Sequence, residues 1–102
     1  MQYQLVVQFQ ANSREDFDRL VGFEQSLTKS LSGSAMVDGH DFGSGEFNIF
    51  VLTDSPSSTF ERVRKEFAGR GEREDMRAAY RELGGEDYII LWPPGLKEFS
   101  VS

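Results

Sequence analysis

In the opening stretch, Tyr3, Leu5, Val7 and Phe9 alternate with Gln2, Gln4, Val6 and Gln8. That period of two belongs to a strand with one buried and one wet face. The period changes after Asn12 and Ser13, either of which can cap a helix. Asp16 sits three residues beyond Ser13 in capping-box position, and further acids lie in the first turn, where the helix dipole favours them. Steps of ~100° gather Phe17, Leu20, Val21, Leu27 and Leu31 on one stripe, so the helix should run to about Leu31, with Gly33 as its stop. Glu24 falls in the middle of that stripe. It either lies at the end of the sheet with its stem packed or is buried, and the first arrangement is the commoner one.

From Ser34 to Asp54 the pattern predicts two strands joined at Gly-Ser-Gly, because Ala35 and Val37 alternate with polar neighbours and FNIFVLT is rich in β-formers. A second helix follows. Asp54 or Ser55 caps it, Pro56 stands near its first position, and Phe60, Val63 and Phe67 recur at i, i+3 and i+7 before a stop near Gly69. RGERED, residues 70 to 75, reads as a solvated charged linker.

The segment 76 to 83 fits a strand, or a short helix with Met76, Ala79, Tyr80 and Leu83 on one face. The strand is preferred. Gly84-Gly85-Glu86-Asp87 is turn chemistry, and YIILW beyond it is a strand for 76 to 83 to pair with. Trp92, with Tyr88 and Ile90 on its strand face, is expected as core material at a strand's end. Pro93 and Pro94 end that strand, and Leu96 and Phe99 of the tail are placed to fold back. The element order β-α-β-β-α-β-β predicts an α+β, ferredoxin-like domain spanning 1–102: an antiparallel sheet with two helices on one face and the other face open.

Composition narrows the function classes. Nine Phe among 102 residues supply ample core for one domain. The absence of Cys removes disulfides, thiolate metal sites and cysteine nucleophiles. The net charge of −6, with basic residues scattered among acids, argues against a nucleic-acid partner. No apolar run approaches the ~18 residues of a membrane span, and MQYQLVVQFQ lacks the basic start of a signal peptide. A cytoplasmic protein of bacterial type, away from the membrane, is expected.

The densest chemistry lies in DGHDFGSGEFNIF, residues 38 to 50, which holds the single histidine. Hairpin parity decides where His40 points. A three-residue loop Gly43-Ser44-Gly45 would place Asp38, His40, Glu46, Asn48 and Phe50 on the open face. A two-residue Ser44-Gly45 loop would turn Asp38 and His40 toward the helices at a desolvation cost. The first register is preferred on that ground. With it, His40 is a candidate general base, oriented by Asp38 or Glu46, and the same face with Val6 and Gln8 is a candidate binding surface. The alternative is structural: glycines that bend and turn a strand, with polar groups satisfying one another. Asp38, His40 and Glu46 make a weak metal triad, an EF-hand loop fails on spacing, and the glycines lead into a strand rather than into the helix of a dinucleotide fold. No metal and no cofactor is implied.

GHDFGSGEFNIF, with YREL and YIILWPPG later in the chain, resembles small bacterial proteins sharing a GHD-x-GSGE-x-NIF hairpin and a YRE…LWP ending. The resemblance covers most of the chain and carries no activity. Dimeric monooxygenases of the antibiotic-biosynthesis type are similar in element order alone. The expected function is protein binding, by an inhibitor, immunity or regulatory module with a protein partner. The alternative is a small homodimeric enzyme or ligand binder.

Overall fold

The chain, seen in a computed structural model that describes residues 1–70 and 76–101, runs β1 (Tyr3–Gln10), α1 (Arg14–Ser30), β2 (Met36–Gly43), β3 (Glu46–Thr53), α2 (Pro56–Gly69), β4 (Arg77–Glu82) and β5 (Ile89–Trp92). It is an α+β fold. The five strands form one antiparallel sheet in the order β2-β3-β1-β4-β5. Residues 76 to 83 supply a strand, with Tyr80 opposite Leu5 and Ala78 opposite Val7.

Local signals set the helix starts. Ser13 is extended and accepts the Asp16 N–H through Oγ at 3.1 Å, while Asp16 reaches back to the Asn12 N–H at 3.1 Å. That backbone hydrogen bond, together with Ser13 and Arg19, holds the Asp16 carboxyl below its ordinary range. A carboxyl depressed in the folded state stabilises above its unfolded pKa and loses that contribution as pH falls through the folded value. Asp16→Asn should therefore flatten the acid limb of a stability–pH profile below about pH 4; an unchanged limb would show that the cap carries none of the acid sensitivity. At α2, Thr53 accepts the Ser55 N–H and shares a hydrogen bond with Thr59 at 2.8 Å.

Leu5, Val7 and Phe9 of β1 and Phe47, Ile49 and Val51 of β3 face the helices and form one cluster with them. The buried line of α1 is Leu20, Phe23, Glu24 and Leu27, so it is rotated from the expected stripe, and Phe17 and Val21 are only half-buried. Phe9, Phe23 and Phe67 meet with ring centroids 5.0–5.9 Å apart and join β1, α1 and α2.

Trp92 does not share a face with Ile90. The β4–β5 register shifts, so Trp92 opposes Ala78 on the helix side and Ile90 opposes Ala79 on the other side. The indole lies 6.4 Å from the Phe60 ring, with the Arg64 guanidinium 4.0 Å above it. Tyr88 lies outside the strand against Phe99, at 5.2 Å. The charged run after Arg70, at 71 to 75, lies outside the described residues.

Candidate functional site

The hairpin turn has two residues, not three. Ser44 (φ 55) and Gly45 (φ 77) are both left-handed, and Gly43 pairs with Glu46, as in the type I′ turns whose twist matches the flanking strands. His40 consequently stands opposite Ile49 on the helix side, which corrects its expected place on the open face. The desolvation objection to this register is met by a β-bulge. Asp38 and Gly39 together face Phe50, so Val37 rather than Asp38 opposes Val51, and Asp38 remains exposed. Gly39 has φ +102, a conformation that a side chain would strain.

On the helix side His40 meets an acid from a different element. Its Nδ1 lies 2.7 Å from Glu24 Oε1, and the two side chains are 30% and 12% exposed. The ring stacks on Phe47 at 4.8 Å and 16°, with Phe17 edge-on at 5.7 Å and Phe42 packed against Phe17 at 5.0 Å. A carboxylate at Nδ1 keeps the proton there in the neutral tautomer and leaves Nε2 as the acceptor. Nε2 makes no hydrogen bond among the described residues. Glu24, not Asp38 or Glu46, is therefore the orienting acid. The one signal for it in the sequence was its place on an apolar stripe.

The expected cluster is divided between the two faces. Glu46 and Asn48 pair with Gln10 and Gln8 of β1, and Phe50 with Val6, all on the side away from the helices. Asp38, His40 and Glu46 do not converge, and no group of three metal-ligating side chains does so among the described residues.

The face away from the helices is not open. Pro93 O accepts the Leu96 N–H at 3.2 Å and Gly95 has φ +85, a turn with Pro94 and Gly95 at its centre that reverses the chain. The tail then crosses the sheet. Gln8 Nε2 donates to Ser100 O at 2.9 Å and to Asn48 Oδ1 at 3.0 Å, and both amides are 2% exposed. Val6 and Ala79 are also fully buried, so Val6 and Asn48 lie beneath the surface of this face.

Between tail and sheet lies a cleft of about 600 Å³. Gln8 and Glu46 line it with Arg77, Ile90 and the pairs Glu86–Asp87, Tyr88–Phe99 and Lys97–Glu98. Four carboxylates stand there against two cations. Of the expected site residues, only Gln8 and Glu46 belong to this wall. Glu86, Asp87, Tyr88, Glu98 and Phe99 went unrecognised as a site. The available signal was Pro-Pro-Gly followed by an amphipathic tail.

A second, smaller cleft of about 290 Å³ lies beside Tyr3, Tyr80, Glu82, Gly85 and Ile89, and it also touches Glu86 and Asp87. His40 lines neither cleft. No family model, curated protein or solved structure matches the chain.

Proposed function

We propose that the chain is a protein-binding module, of inhibitor, immunity or regulatory kind, that takes a basic segment of its partner into the cleft beneath the C-terminal tail. The observation that carries this reading is the cleft itself: an acid-rich wall with Tyr88, Phe99 and Ile90 as apolar surface. Such a surface favours lysine and arginine side chains through long-range attraction and aromatic contact. It repels phosphate and carboxylate ligands for the same reason. The sheet behind it is read as ferredoxin-like, with β1 and β3 central and β5 appended beyond β4.

A fluorescein-labelled lysine–arginine peptide provides the probe. Glu46→Lys with Glu98→Lys should weaken its binding about tenfold at low salt, mainly through slower association. Equal affinity for the parent and the double variant would refute the reading.

The His40–Glu24 pair supports a second reading, a homodimeric enzyme or ligand binder with His40 as general base and Nε2 directed to the reacting group. Native mass spectrometry decides it. A dimer that retains a small molecule, and loses it on His40→Ala, would support this reading; a bare monomer would remove it.

A further inference from the structure

Tyr3 and Tyr80 stand on adjacent strands at the foot of the sheet, with ring centroids 5.5 Å apart and planes at 87°. Both are half-buried, so two perpendicular ring surfaces bound one small recess. Its other walls are Glu82 at the end of β4, the turn residues Gly85, Glu86 and Asp87, and Ile89, whose side is 53% exposed. None of the three carboxylates has an ion-pair partner among the described residues. The Arg81 guanidinium donates to the carbonyls of Glu82 and Gly85.

The recess is chemically selective. Three unpaired acids exclude anions. A bare metal ion is a poor fit, since no three acidic or histidine side chains are placed to ligate one among the described residues, and the tyrosine rings and Ile89 offer an ion no ligands. Aromatic faces, an aliphatic wall and surrounding carboxylates together suit an organic cation on an apolar stem. At about 290 Å³ the recess falls at the small end of ligand pockets, which is room for one side chain. The recess lies on the helix side of the sheet, where Tyr80 stands opposite Leu5, and the tail cleft on the other face. Glu86 and Asp87 line both, so a segment held in the cleft reaches the recess by passing around the β4–β5 turn.

We infer that the Tyr3–Tyr80 recess is an anchor pocket for one arginine or lysine side chain of the partner's basic segment. The inference rests on the reading of the tail cleft as a basic-peptide site and adds where that segment is fixed. The stem lies along Ile89, the charged head meets the two rings, and Glu82, Glu86 and Asp87 surround it.

The test is an NMR titration of the full chain with N-acetyl-arginine amide, and with the citrulline analogue as its neutral match. The arginine probe should shift Tyr3 and Tyr80 ring signals saturably, and the citrulline probe should not. Tyr3→Leu should weaken binding about threefold or more, while Tyr3→Phe, which keeps the ring, should bind as the parent does. Equal shifts from citrulline, or a Tyr3→Leu variant that is folded and binds unchanged, would overturn the anchor. The lysine–arginine peptide separates the two claims. If arginine amide binds at the tyrosines but the peptide leaves Phe99 and Glu98 signals unmoved, the cleft reading fails and the pocket stands. If the peptide moves those signals and not Tyr3 or Tyr80, the anchor fails alone. Spermidine binding more tightly than the peptide would assign the pocket to free polyamines and also overturn the anchor.

Discussion

Phe23→Ala should lower the unfolding free energy by about 3–5 kcal/mol, read as a fall in the urea midpoint at an unchanged slope. Phe23 is 1% exposed, and its ring meets Phe9 and Phe67 where β1, α1 and α2 come together. Truncation therefore opens a cavity that three elements would have to move to fill, and close-packed interiors relax only in part. Against a total stability of roughly 5–15 kcal/mol for a domain, that loss is about a fifth or more. Phe42 supplies the control. It is also a phenylalanine packed on Phe17 and Phe47, but it is 43% exposed on the edge strand, so Phe42→Ala should cost less than about 1.5 kcal/mol. Equal costs at the two positions would mean that the Phe9–Phe23–Phe67 junction is not the centre of the core.

His40→Ala should cost about 1–2 kcal/mol, a loss that arises from the acid it leaves behind. Breaking a fully buried pair typically costs 3–5 kcal/mol, because the remaining charge is unsolvated. Here the His40 side chain is 30% exposed and water reaches the pair from that side, which lowers the figure. Glu24→Leu introduced into the His40→Ala variant should recover most of the loss, since the position lies between Leu20 and Leu27 on the buried line of α1. A double-mutant cycle on these two residues should give a coupling of about 1 kcal/mol. Additive effects would show that the 2.7 Å contact between them contributes nothing to stability.

Much of the fold was legible because several local signals agreed along the chain. Ser13 with Asp16, Pro56 after Ser55, and the alternation of Leu5, Val7 and Phe9 each act over a few residues, and each element formed where they pointed. The strand at 77–82 was recovered from the turn chemistry that follows it rather than from its own pattern. The site was far less legible, since its residues are brought together by register. The turn length decides which way His40 faces and one extra residue in β2 decides it for Asp38, so desolvation reasoning that allows no bulge points to the wrong turn. Glu24 and His40 lie 16 positions apart on different elements, and neither position alone names the other. The tail was expected to fold back through Leu96 and Phe99. What could not be foreseen was that its main-chain carbonyl at Ser100 would satisfy a glutamine from the first strand and so close a face that element order alone leaves bare.

The bulge at Asp38–Gly39 has a consequence for the solution behaviour of the protein. β2 borders the sheet and presents an unpaired row of backbone groups eight residues long, with Met36 and Phe42 exposed along it. A regular ladder of that length would be a template for a neighbouring molecule's strand and a seed for aggregates. The doubled residue breaks the row into two short runs that are out of phase, and Asp38 and Asp41 add like charges that a second copy would have to approach. Loss of Gly39 would restore an even ladder, Asp38 opposite Phe50 and Val37 still opposite Val51, without displacing the other pairings. The glycine that keeps Asp38 out of the core thus also makes the border of the sheet a poor template for a second molecule's strand.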